Sequence, residues 1–189
     1  MEPKPTQESS SPCGAAKTKD PKRQRAGRLA RQKGKDFERQ VARDLRAIYD
    51  KPELVKAIEA ADSTQRKKLM SQSWVRRGEQ GRDAYEPDVI APCEWWMELQ
   101  NGESRTPEAK LAQAKRDLAV YRGRNADGPW RRPVAIYHHK GARSIIVCLE
   151  LHDLLEGAGG VMPLGAREIA DLEVRIDYQE FLKILRSRR

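Results

Sequence analysis

Residues 86–100 read E-P-D-V-I-A-P-C-E-W-W-M-E-L-Q, and this stretch constrains the fold more than any other part of the chain. Strand-forming residues, Val89 and Ile90 and then Trp95, Trp96, Met97 and Leu99, flank the turn-like Pro92-Cys93-Glu94. That pattern predicts a hairpin. A reversal centred on Cys93 sets Asp88 opposite Glu98, Val89 opposite Met97 and Ala91 opposite Trp95. Side chains alternate across a strand, so Trp95, Met97 and Leu99 make a core face while Trp96, Glu98 and Gln100 make the other. Like charges directly opposite each other destabilise a sheet. Facing carboxylates therefore call for a cation, unless the register is displaced by one residue and both acids are simply solvated. A hard divalent ion such as Mg²⁺ suits them, because it takes carboxylate oxygens and keeps waters for a substrate phosphate.

Charge says where a partner would bind. The net charge is +9, and of the 37 Lys/Arg and 28 Asp/Glu in 189 residues, ten basic and three acidic residues fall within residues 1–35. A basic arm on a nearly neutral body fits either a nucleic-acid backbone, whose neutralisation releases counterions, or a solubilising tail. Residues 1–20, rich in Pro, Ser, Gln and Lys, are expected to be disordered. The absence of a long apolar run argues against a membrane span, and no apolar signal region is present at the start. Cys13, Cys93 and Cys148 are scattered without metal-ligand spacing, which fits reduced thiols in an intracellular, cytoplasmic protein.

Helical periodicity begins after the arm. Phe37, Val41, Leu45 and Ile48 predict an amphipathic helix over residues 35–49, with Glu38 at the margin of its apolar stripe. Residues 51–73 hold a weaker helical pattern beginning at Pro52, to be read as an insertion, a dimer contact or a connector. Trp74 and Val75 open a strand, and Arg76, Arg77 and the glycines after them lead into the hairpin. Thr106 is placed to cap a helix carrying Leu111, Ala114, Leu118 and Tyr121 on one face. Lys110, Gln113, Lys115 and Arg116 are expected on the other. Two further strands, residues 133–139 and 144–150, a short helix near residues 151–155, an alternating strand around Leu172–Val174–Ile176 and a last helix capped by Asp177 complete the plan. His138 and His139 are neighbours on a strand, so they point to opposite faces and are poorly placed to share one ion.

The order α-β-β-β-α-β-β, with Glu38 in the first helix, P-D-V at residues 87–89 and E-L-Q at residues 98–100, resembles the PD-(D/E)XK nucleases. Among them it is most similar to the Holliday-junction-resolvase-type enzymes of archaea and phages. The likeness covers roughly residues 33–155. It implies an α/β fold with a mixed central sheet flanked by helices. It divides the chain into a disordered basic arm (1–28), a nuclease core (29–156) with a helical insert (51–73), and a C-terminal appendage (157–189). It further implies catalysis by Glu38, Asp88, Glu98 and Gln100. Mg²⁺ or Mn²⁺ would be held by Asp88, Glu98, the Leu99 carbonyl and Glu38. DNA, branched or double-stranded, would be bound by Arg76, Arg77, Lys110 and Lys115 and cut by a homodimer. One position departs from the family, which usually has lysine where this chain has Gln100. Three consequences are open: glutamine suffices, Lys110 or Lys115 from the following helix substitutes, or binding survives without catalysis.

Overall fold

A computed structural model gives the architecture and describes residues 21–78, 86–102, 105–139, 141–160 and 171–189. The expectation of a disordered arm over residues 1–28 lies outside the described residues for 1–20 and is not met for 21–28, which are helical because they continue the packed helix α1. The elements in order are α1 (Pro21–Tyr49), α2 (Pro52–Ala60), α3 (Ser63–Met70), β1 (Arg76–Arg77), β2 (Val89–Ile90) and β3 (Trp95–Asn101). They continue with α4 (Pro107–Arg124), β4 (Arg132–His138), β5 (Ile145–Glu150), α5 (Leu151–Gly157), β6 (Glu173–Asp177) and α6 (Tyr178–Ser187). The strands form one six-stranded sheet in sequence order. Every neighbouring pair is antiparallel except β3 and β4, which run parallel with α4 as their crossover.

The hairpin register is the expected one, with Val89 facing Met97. Its alternation divides the molecule into two layers. On one face Trp95, Met97 and Leu99 join Val89, Val134 and Ile136 of the sheet, Phe37, Val41, Leu45 and Ile48 of α1, and Phe181, Leu182 and Leu185 of α6. On the other, Trp96 is fully buried against Ala114 and Leu118 of α4. Trp96 packs under α4, because it alternates with the residues that α1 covers.

The boundaries differ from expectation in three places. First, α1 starts at Pro21, about four turns before the predicted residue 35. Second, the segment from 51 to 73 is two helices, the second capped by Asp62, whose carboxylate accepts from Thr64 N and Gln65 N. Third, the C-terminal segment is no appendage. β6 pairs with β5 along five residues, and α6 fills the main core. The ring of Phe181 meets Trp95 edge-on at 5.3 Å, and Tyr178 Oη donates to Asp44 Oδ2 at 3.2 Å. The alternation of Leu172, Val174 and Ile176 predicts that strand, but periodicity does not say which sheet edge it joins. Among the described residues no helix is long and apolar enough to cross a membrane.

Candidate functional site

Asp88 ends the irregular approach to β2, and its position is tightly fixed. Gly78 N donates to Asp88 O at 3.1 Å. A Cβ on Gly78 would stand 2.0 Å from the Pro87 carbonyl oxygen, so only glycine permits this close passage of the two backbones. The Asp88 carboxylate accepts the Leu99 N–H at 2.8 Å across the hairpin. Leu99, expected to offer its carbonyl, thus contacts the acid through its amide.

Glu98 lies in the middle of β3 and is 3% exposed. Trp96 Nε1 donates to its Oε1 at 3.2 Å, while Lys110 Nζ and Gln113 Nε2 reach its Oε2 at 2.8 and 3.4 Å. The same Lys110 Nζ is 3.4 Å from Asp88 Oδ2. One ammonium, itself buried, therefore bridges both carboxylates. This corrects the placement of Lys110 on the outer face of α4. Residue 110 is one turn before Ala114 and two before Leu118, both buried, so the helical repeat turns it toward the sheet. The signal was in the spacing, hidden by the charge. Gln113, one turn on, also accepts from Lys110 Nζ (3.4 Å) and donates to Asp117 Oδ2 (3.1 Å).

The electrostatics follow from burial. Loss of water and then the Asp88 charge push the Glu98 carboxyl up to about 7, against the pull of Lys110. Burial opposes the Lys110 charge, but Asp88 and Glu98 outweigh it and lift the ammonium above the usual lysine range. Two carboxylates share one cation, and the site stays short of positive charge. Donors that are all oxygen, already converging on a cation, fit a hard divalent ion. Asp88 and Glu98 would hold Mg²⁺ or Mn²⁺, with Gln100 on the same strand face as Glu98.

The structure does not bring every expected residue here. Glu38 belongs to the layer under α1. Its Oε2 accepts from Arg77 Nε at 2.6 Å, and Arg77 stands opposite Val89, on the face away from Asp88 and Glu98. Glu38 is thus held by Arg77 beside the α1-covered face of the sheet. Arg77 is committed to Glu38, and Arg76 to Glu86 at 3.1 Å. Lys115 sits 2.5 Å from Glu150 and 3.5 Å from Glu173, toward the β5–β6 edge of the sheet. His138 is half-buried against Phe37, its Nε2 3.1 Å from the Ala142 carbonyl.

A second acidic cluster was not foreseen from the sequence. Glu150, His152 and Asp153 bring one possible metal-ligating atom each within 4.8 Å of one another. The E-x-H-D spacing at the β5–α5 junction was its only sequence trace. Lys115 already meets Glu150, and Arg132 Nη1 lies 3.1 Å from Asp153 Oδ1, 2.6 Å from Glu156 Oε2 and, through Nε, 3.2 Å from Glu94. Comparisons of the chain with protein-family models, with curated proteins and with solved structures give no match.

Proposed function

We propose that this chain is a metal-dependent endonuclease of the PD-(D/E)XK kind, hydrolysing DNA phosphodiesters with branched DNA as its substrate and acting as a homodimer. The observation that carries the reading is the position of Lys110 Nζ between Asp88 and Glu98, at 3.4 and 2.8 Å. Two acids from a hairpin and a lysine are the family's chemical set. Here α4 supplies the lysine that β3 lacks at Gln100.

When bound, Mg²⁺ or Mn²⁺ would supply a water of lowered pKa and stabilise charge on the leaving oxygen. The chain's own groups do the rest. Leu99 N–H fixes Asp88, and Trp96 and Gln113 fix Glu98, so both carboxylates are aimed at one point. Lys110 is a preorganised positive charge of the type that stabilises developing negative charge on a phosphoryl group. The Gln100 amide can orient a water without adding charge. Gln113 holds Lys110 and Glu98 in register.

Purified protein incubated with Mg²⁺ or Mn²⁺ and four-way junctions, linear duplex or single strands tests the proposal. Cutting of junctions in preference to linear duplex is the expected result. Preference for linear duplex would make the protein a restriction-like or nicking enzyme. Binding without cutting under either metal would leave a silent DNA-binding module in which Lys110 merely neutralises two acids.

A further inference from the structure

The first half of α1 is absent from the chemistry above. The first buried residue of this helix is Phe37, so residues 22–35 continue it about 21 Å beyond the core. This extension carries Lys22, Arg23, Arg25, Arg28, Arg31, Lys33 and Lys35 and no acidic residue. Arg25, Arg28, Arg31, Lys33 and Lys35 are all exposed. Asn101 Nδ2 donates to Lys33 O at 3.1 Å. Leu29, Ala30 and Lys33 line an open groove of about 610 Å³ together with Asn101, Gly102 and His138.

The angular distribution of charge identifies the partner. At about 100° per residue the basic positions Lys22, Arg25, Arg28, Arg31, Lys33 and Lys35 spread over both flanks of the helix and leave one gap of about 160°. A helix lying on a membrane needs a broad apolar face opposite its cations, and the large apolar residue here is Leu29 alone. A helix in the major groove of B-form DNA has phosphates on both flanks and uses cations on both. The major groove of A-form RNA is too narrow to admit it. We infer that residues 22–35 form a rigid basic helix that enters the major groove of duplex DNA. The inference rests on the proposed function only for DNA as the polyanion; the binding site is separate from the acid pair.

The test uses the full chain in EDTA, so that nothing is cut, and measures fluorescence anisotropy on a DNA duplex and on an RNA duplex of the same sequence. DNA binding stronger than RNA binding by roughly tenfold is expected. Arg25→Gln, Arg28→Gln, Arg31→Gln and Lys33→Gln combined should lower the slope of log affinity against log salt by about 3–4. Ala30→Pro retains every charge and interrupts the helix, and should weaken DNA binding several-fold with the melting of the body unchanged. Equal binding of DNA and RNA, an unchanged salt slope, or wild-type binding by Ala30→Pro would each overturn the inference, as would tighter binding to phosphatidylserine vesicles. Asp88→Asn in the same assay separates the two readings. If no metal supports cutting but these binding differences hold, the nuclease proposal fails and the groove helix stands. If the four-glutamine variant cuts with an unchanged KM, the groove helix fails and the nuclease stands.

Discussion

Two clusters in this molecule are built from the same ingredients, a basic side chain among carboxylates. At one, Lys110 stands between Asp88 and Glu98, with all three side chains largely buried. At the other, Arg132 stands among Glu94, Asp153 and Glu156, and Glu94 and Glu156 reach solvent. The guanidinium serves three acids, Nη1 bonding Asp153 and Glu156 while Nε pairs with Glu94, and so ties the hairpin turn and α5 to the start of β4. The Arg132 N–H reinforces this by donating to Glu94 O at 2.6 Å. The ammonium is a compact point charge, and it leaves Glu98 reluctant to ionise. The Asp153 carboxyl is also pushed up by burial, but His152 and Arg132 pull against it, and Glu156 and Glu94 hold the Arg132 charge. A forked cation that engages its acids makes a joint. A buried point charge shared by two acids is what the proposed metal site would need if a second cation is to bind there.

The largest effect should separate the clusters outright. Asp88→Asn or Glu98→Gln should reduce DNA cleavage by at least ~10²–10³-fold, the scale of losing one transition-state contact. Neither should weaken DNA binding in EDTA. Asp153→Asn should leave the cleavage rate per folded molecule unchanged. Equal losses at the two clusters, read by single-turnover kinetics, would mean that the acid pair has no special role.

Removing each cation comes next. Lys110→Met leaves two buried acids without their cation, a change that typically costs ~3–5 kcal/mol. Arg132→Met should also destabilise, through Asp153. The comparison turns on rescue. Mg²⁺ should raise the melting temperature of Lys110→Met by more than that of the wild type, because the ion replaces the lost charge. It should do nothing comparable for Arg132→Met. Thermal melts with and without Mg²⁺ decide this without any cleavage assay.

Acidity gives a smaller and distinct signature. Glu98 titrates near 7 in the folded protein against an ordinary 4.5, so the folded state holds this proton more tightly than the unfolded chain does. Stability from this group is complete below pH 4.5 and is lost as pH rises through about 7. The loss amounts to roughly 2–3 kcal/mol by pH 8 in metal-free protein. Urea titrations at pH 5.5 and pH 8 should show it in wild type, and Glu98→Gln should abolish it. A wild-type stability that rises across that interval would contradict the charge deficit assigned to the site.

How much of this was legible in sequence depends on what each signal encodes. Alternation around Cys93 gave the register of Asp88 and Glu98, because a two-residue period and a short turn leave few choices. The helical repeat of α4 also contained Lys110, but a lysine among leucines and alanines was read as solvent-facing. Its partners lie on other elements, and local spacing does not contain them. Glu38 shows a different limit. Periodicity places it at the margin of a buried stripe, yet which face of the sheet that stripe covers is settled only by packing. Arg77, opposite Val89, then takes it as an ion-pair partner. The same limit applies to β6, whose alternation was visible but whose edge was not. The basic extension of α1 was legible as a helical composition from Arg25, but without an apolar stripe it gave no helix start, because its order comes from continuity with the packed half.

The finest comparison lies inside the arginine cluster. Glu156 Oε2 is 2.6 Å from Arg132 Nη1, shorter than the 3.1 Å to Asp153, so distance alone ranks it as the stronger tie. Exposure reverses that order. The Glu156 side chain is 48% exposed, whereas that of Asp153 is 4% exposed. Water and salt screen the first pair, and exposed pairs contribute about 0–1 kcal/mol. Glu156→Gln should therefore cost no more than ~0.5 kcal/mol, and less still at high salt. Asp153→Asn should cost more, because it alters a buried acid shared by Arg132 and His152. Chemical denaturation of the two variants at low and high salt measures both. If Glu156→Gln proves the more damaging, separation rather than burial governs the cluster, and the distinction drawn between Arg132 and Lys110 loses its physical basis.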